Sequence, residues 1–184
     1  MILNLPYSLP VDGIDRKIYP DFRDILLILA SFSDPELDST EKNIIMLNNL
    51  FVDDWREFND VTGALEQASI FIDGGREHRT DEKSPRLMDW DQDFPVIIAP
   101  INRVAGKELR DLHFLHWWTF LGYYQEIGEC TFSHIVSLRK KMKRGIKLDK
   151  QDQEYIRENR DLVILQDRLS EEEQAQEDEF FYGG

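Results

Sequence analysis

The sequence lacks the features that mark secreted and membrane proteins. A single cysteine, Cys130, in 184 residues excludes an intramolecular disulfide. No apolar run approaches the roughly 20 residues that span a bilayer, and the N-terminus lacks the basic and then apolar stretch of a secretory signal. These absences predict a soluble cytoplasmic protein from a reducing compartment, with no membrane partner.

Basic residues are also scarce. The chain has 22 Lys and Arg against 36 Asp and Glu, which gives a formal net charge of −14. Because nucleic-acid binders gain much of their affinity by neutralising phosphates, this balance disfavours nucleic acid as a partner.

Catalytic and cofactor signatures are missing as well. The chain contains no G-x-S-x-G, no G-x-x-x-x-G-K-[ST], no H-E-x-x-H and no G-x-G-x-x-G that follows a strand. One set of side chains could converge on zinc, namely His113, His116, Cys130 and His134, but its spacing matches no zinc motif. We therefore expect a protein that is not an enzyme, with no cofactor and no metal.

What the sequence does have is enough apolar material for a core, with 41% hydrophobic and 11% aromatic residues. Its patterns predict a mainly α protein with one compact helical domain over residues 1–168. Residues 1–20 should form a short β-hairpin around Asp12-Gly13, residues 74–88 an internal loop, and residues 169–184 a flexible acidic tail.

The apolar periodicity and the capping residues predict where the helices lie. The predicted helices are Asp21–Phe32, Ser39 or Thr40 to about Phe58 with a break near Asp53-Asp54, Asn59 or Asp60 to Gly74-Gly75, Asp91–Ala105, Leu109–Tyr124, Thr131–Arg144 and Asp152–Arg168. Pro100 should kink or end its helix. Leu109–Tyr124, apolar almost all round, should lie at the centre of the fold.

Two clusters are candidates for partner binding. The aromatic residues of the central segment are more typical of a core, but Trp and Tyr are also enriched at binding hot spots. The second cluster places six basic residues between Arg139 and Lys147, which exceeds what a helix dipole favours; it could contact another protein, the chain's own acidic end or a second copy. The candidate binding residues are Trp117, Trp118, Tyr123, Tyr124, Arg139, Lys140, Lys143 and Arg144.

Several segments together resemble one family of small phage proteins. The resemblance runs over roughly residues 1–165 and rests on LPVDGIDRKIYPDFRDIL, EKNIIMLNNLF, ALEQASIFIDGG, MDWDQDFPVIIAPINRV and LHFLHWWTFLGYYQEIGECTFSHIVSLRK. Its most specific parts are Asp21-Phe22-Arg23, Phe71-Ile72-Asp73-Gly74-Gly75, and His116-Trp117-Trp118-x-Phe120 with Arg139 downstream. The chain resembles the bacteriophage gene-product-fifteen family, which is encoded in tail gene clusters of long-tailed phages and prophages.

The resemblance implies a tail assembly chaperone. Such a protein would bind the long, apolar tape-measure protein in the host cytoplasm, help recruit the major tail protein and be absent from the mature virion. The resemblance implies no catalytic residues in this chain. The net charge of −14 supports an alternative function, that of an acidic phage effector that mimics the charge of DNA and blocks a host nucleic-acid enzyme. Homo-oligomerisation is open.

Overall fold

An N-terminal β-hairpin leads into a set of packed helices in the computed structural model, which describes residues 4–76 and 86–166. The elements in chain order are β1 (Ser8–Val11), β2 (Ile14–Lys17), α1 (Phe22–Phe32), α2 (Ser39–Leu50), α3 (Val61–Ile72), α4 (Trp90–Ala105), α5 (Trp117–Gln125), α6 (Thr131–Lys143), α7 (Lys150–Glu158) and α8 (Arg160–Val163). Single 3₁₀ turns lie at Trp55–Glu57 and Leu109–Asp111. The predicted mainly α fold with a short N-terminal hairpin is confirmed.

The hairpin forms around the predicted Asp12-Gly13 turn. Both residues have positive φ, 55° and 73°, as a tight turn between antiparallel strands requires. Val11 pairs with Ile14 across that turn. The inward side chains Leu9 and Val11 are buried and join the main core, so the hairpin covers one end of the helical core.

Aspartates at helix starts account for part of the acidic composition. Each accepts hydrogen bonds from backbone N–H groups of the first turn, where the helix dipole also favours negative charge. These N-cap residues are Asp21 for α1, Asp38 for α2, Asp60 for α3, Asp89 for α4 and Asp149 for α7. The helix starts predicted at Asp21 and at Asn59 or Asp60 are thereby confirmed, and Gly74 and Gly75, both with positive φ, follow α3 where that helix was predicted to end.

The predicted helix Leu109–Tyr124 is wrong over its first half. After the 3₁₀ turn the chain is extended to His116, and α5 begins only at Trp117. The reason is long-range pairing, because Leu115 donates its N–H to the Asp21 carboxylate at 2.9 Å and its carbonyl accepts from the Phe22 N–H at 3.0 Å. The shorter α5 packs against both α1 and α4 and buries Trp117 and Phe120.

The predicted end of α4 at Ala105 is confirmed, but Pro100 does not end that helix, and the predicted helix Asp152–Arg168 is divided. Helix α4 continues through Pro100 to Ala105, held by the buried side chains of Ile97 and Ile101 on either side of the proline. The predicted helix Asp152–Arg168 is two helices, because Asn159 leaves helical geometry with ψ of 39° and its side chain donates to the Tyr155 carbonyl.

Some predictions fall on parts of the chain outside the described residues. These are the acidic tail at 169–184, the end of the predicted domain at 168, and residues 77–85 of the predicted loop. Within residues 4–76 and 86–166, no helix has the length and apolar character needed to cross a membrane.

A buried ion pair joins α4 to α6. Arg139 and Asp93 have side chains only 3% and 2% exposed, and two parallel bonds of 2.7 and 2.8 Å join the guanidinium to the carboxylate. The three remaining N–H groups of Arg139 donate to the carbonyls of Leu87, Leu162 and Val163. All five donors of the arginine are therefore satisfied, which is what makes burial of the charge tolerable.

Removing one partner of this pair should destabilise the fold strongly. We expect Arg139→Met to lower the free energy of unfolding by about 3–5 kcal/mol, because Asp93 would be left buried without its counter-charge. Urea unfolding followed by circular dichroism measures the change.

The matched control is Lys140→Met, at the exposed neighbouring position, which should change stability by less than about 0.5 kcal/mol. The double variant Asp93→Leu/Arg139→Met should lose less than the sum of the two single changes. Equal losses for Arg139→Met and Lys140→Met would contradict a structural role for the pair.

Candidate protein-binding surface

The Asp21-Phe22-Arg23 motif fastens the N-terminal region to the extended segment before α5. Asp21 caps α1 with one carboxylate oxygen and accepts the Leu115 N–H with the other. The Arg23 guanidinium donates to the carbonyl of Leu112 at 2.6 Å, and Phe22 stacks on Phe120 with ring centroids 4.9 Å apart. The motif therefore has an architectural role.

His116 connects α5 to the start of the chain. It is 2% exposed, and its Nε2 lies 2.8 Å from the Pro6 carbonyl, so this nitrogen carries the proton and donates it. Its Nδ1 accepts the Trp118 N–H at 3.1 Å and thus caps α5. Burial lowers the pKa of His116, and the hydrogen bond to Pro6 only partly opposes that shift.

The two adjacent tryptophans fix the end of α3 against α5. The indole N–H of Trp117 donates to the Ile72 carbonyl and that of Trp118 to the Phe71 carbonyl, both at 2.8 Å. Trp117 is only 1% exposed, so in this conformation it holds the core together and offers no surface to a partner, contrary to the expectation for that residue. Trp118 is half-buried.

The two candidate tyrosines lie at the edge of the same core. Tyr123 and Tyr124 are both half-buried and pack against it. The Tyr124 hydroxyl lies 3.3 Å from the Met88 sulfur, and its ring lies 5.1 Å from that of Trp90. Burial raises the pKa of Tyr124. Tyr124 thus links α5 to the start of α4, and both tyrosines keep part of their side chains accessible.

The candidate zinc residues do not come together. Among residues 4–76 and 86–166, no group of three His, Cys, Asp or Glu side chains could hold a metal ion. His113 and His116 lie in the extended segment and not on a helix face, and both ring nitrogens of His116 are already hydrogen-bonded.

The basic cluster divides into paired and unpaired residues. Arg139 is buried in its pair with Asp93 and does not face solvent, which corrects its assignment to a binding surface. Lys141 pairs with Asp152 at 2.7 Å and lowers the pKa of that carboxyl. Four residues of the cluster remain exposed, and within the described part of the chain none of them has an ion-pair partner: Lys140, Lys143, Arg144 and Lys147.

An apolar groove suited to binding another protein lies between α1 and α4. Its volume is about 560 Å³. Its walls are apolar side chains of both helices: Leu26, Leu27 and Ala30 of α1, and Trp90, Phe94 and Pro95 of α4. Leu27 is 61% exposed, the highest value for a large apolar side chain among the described residues.

Charged side chains border this groove. Arg23, Asp91 and Arg110 contribute to its lining. Arg110 is held in place by Glu108 through bonds of 2.7 and 2.9 Å, and its guanidinium lowers the pKa of Glu108 to about 2. An apolar floor with a charged border is the usual composition of a protein-binding site.

The groove was not among the sequence-based candidates, although the sequence carries a signal for it. Residues 21–32 are apolar at nearly every position, and a helix that is apolar all round needs neighbours on several faces. Helix α1 contacts α2, α4 and α5, which leaves the face that carries Leu27 uncovered. An apolar helix with one uncovered face is typical of an interaction site.

Comparison with known proteins gives one match. The family model described as Bacteriophage Gp15 protein matches residues 1–165. No curated protein and no solved structure matches the chain.

The buried His116 should make stability depend on pH. The folded protein binds a proton at His116 less readily than the unfolded chain, so stability is full above the ordinary imidazole pKa of about 6.5 and falls as the pH is lowered through it. We expect urea midpoints of the wild type to decrease between pH 7.5 and 5.5. In His116→Asn, which keeps a capping side chain but does not titrate, this decrease should be smaller.

The matched control is His113→Asn, at an exposed position three residues earlier. Its pH dependence should equal that of the wild type. A His116→Asn protein with an unchanged slope between pH 7.5 and 5.5 would show that His116 is not the source.

Proposed function

This chain belongs to the bacteriophage Gp15 protein family, and from that premise we propose that it is a tail assembly chaperone that binds the tape-measure protein. The structural observation that supports the proposal is the groove between α1 and α4. A tape-measure protein is long, apolar and helical, and without a partner its apolar faces would aggregate. A groove lined by aliphatic and aromatic side chains fits the apolar face of such a helix.

The energetics favour the groove as the main contact. Complete burial of one leucine side chain stabilises a complex by roughly 1.5–3 kcal/mol. Leu27 is 61% exposed, so most of its side chain is available for burial by a partner. Trp90 and Phe94 add aromatic area on the opposite wall, and aromatic residues are common binding anchors. No residue within 4–76 and 86–166 closes the groove, so in this part of the chain no contact has to break when the partner binds.

The net charge suits a protein that holds an apolar client in solution. A formal charge of −14 makes complexes repel one another and so opposes their aggregation. We propose that the chaperone acts in the host cytoplasm, helps recruit the major tail protein around the bound client and is released before the virion is complete. Self-association is compatible with this scheme.

The proposal predicts that co-expression with the tape-measure protein of the same phage raises that protein's soluble fraction and that the two copurify. Leu27→Asp should weaken binding about tenfold or more, because it places a charge where the client's apolar face would be buried. Pull-down yield and isothermal titration calorimetry measure the effect.

Val52→Asp is the matched control, since Val52 is 44% exposed but lies outside the groove. It should bind like the wild type. Failure of the wild-type chain to bind any part of the tape-measure protein would contradict the proposal, as would its presence in stoichiometric amounts in mature virions.

A further inference from the structure

The exposed residues of the basic cluster lie at the end of α6 and in the segment directly after it. We call Lys140, Lys143, Arg144 and Lys147 the basic face. It carries four positive charges over eight residues of a protein whose net charge is −14. Within the described residues these charges have no ion-pair partner, in contrast to Arg139 and Lys141. An uncompensated patch of this kind attracts acidic groups.

A hollow lined by both apolar and basic side chains adjoins the basic face. Its volume is about 370 Å³, and it is lined by Arg86, Arg139, Met142, Lys143, Val163 and Leu165. Met142 and Ile146, neighbours of the basic residues in sequence, are 39% and 50% exposed. The surface therefore fits a segment that carries acidic side chains together with large apolar ones.

The chain itself supplies such a segment beyond residue 166. Glu171–Glu179 contains six acids and no base, and Phe180, Phe181 and Tyr182 follow directly. The acids of this segment are complementary in charge to the basic face, and its aromatic side chains are complementary to the apolar part of the hollow. The match to the family ends at residue 165, so this segment lies outside the part that the family describes.

The path of the chain places this segment within reach. Leu165 lines the hollow, so the chain leaves the described region at Gln166 from the wall of the hollow itself. Five residues span at most about 17 Å to Glu171, and fourteen span at most about 50 Å to Phe180. A short tether holds the segment at an effective concentration in the millimolar range, far above that of a second copy in dilute solution.

We propose that residues 171–182 dock on the basic face and in the adjoining hollow of the same molecule. The acids neutralise Lys140, Lys143, Arg144 and Lys147, and the aromatic residues enter the hollow. Docking shields the basic face from phosphate backbones and other polyanions. A partner that uses the basic face must first displace the segment. This inference does not depend on the proposed chaperone function.

Carbodiimide cross-linking of the full-length protein tests the proposal, because the reagent joins carboxylates to lysines only where they touch. Equal amounts of ¹⁴N- and ¹⁵N-labelled protein are mixed before the reaction, and the cross-linked peptides are identified by mass spectrometry. We expect acids 171–179 to couple to Lys140, Lys143 and Lys147 about tenfold more than to the exposed Lys17 and Lys107. The two peptides of each cross-link should carry the same nitrogen isotope, because both come from one molecule.

Two results would overturn the proposal. Pairs of mixed isotope in statistical proportion would mean that a second copy, and not the same chain, supplies the segment. Yields at Lys17 and Lys107 equal to those at the basic face would mean that the segment has no preferred site.

Charge reversal at the basic face gives an independent arm that leaves the reactive lysines in place. Arg144→Glu should lower the cross-link yield to Lys140 and Lys143 several-fold, because it replaces an attraction to the acids by a repulsion. Phe180→Ala/Phe181→Ala should also lower this yield, because the hollow then loses the aromatic side chains that it holds. Arg56→Glu, at an exposed site in the 3₁₀ turn before α3, is the matched control and should leave the yield unchanged. Equal yields for Arg144→Glu and Arg56→Glu would refute the electrostatic basis of docking.

Discussion

The buried pair of Asp93 and Arg139 positions both surfaces on which the functional interpretation depends. Asp93 lies in the first turns of α4, and its carboxylate also accepts the backbone N–H of Asp89, the N-cap residue of that helix. The pair therefore helps to set where α4 begins and holds α4, which forms one wall of the apolar groove, against α6. Through the Leu162 and Val163 carbonyls, Arg139 also fixes the end of α8, from which the acidic segment departs.

The residues that carry the resemblance to the family serve the architecture. Asp21 and Arg23 hold the extended segment before α5, and Trp117 and Trp118 hold the end of α3. Family membership is thus encoded in the contacts that build the fold, whereas binding depends on side chains such as Leu27 that the fold leaves uncovered.

Local signals predicted the parts of the fold that local physics determines. Asp12-Gly13 specified the hairpin, and Asp21 and Asp60 specified helix starts, because turns and caps depend on a few neighbouring residues. The extended segment before α5 was missed because its partner, Asp21, lies 94 positions away from Leu115. Apolar residues in a row do not distinguish a buried extended segment from a buried helix.

The sequence alone did not distinguish the buried from the exposed members of the basic cluster, for a similar reason. Charge density identified the basic cluster but not which of its members turn inward. Arg139 follows Ile135 by four residues, so the helical period places both on the buried face, where Arg139 meets an acid that only the fold supplies.

The central claim is that the groove between α1 and α4 binds the tape-measure protein. Hydrogen–deuterium exchange of the full-length protein, alone and with that client bound, tests it most directly. The account predicts slower exchange in residues 22–32 and 90–105, with no change in the hairpin at residues 8–17. Protection confined to other elements, with exchange in α1 and α4 unchanged, would contradict it.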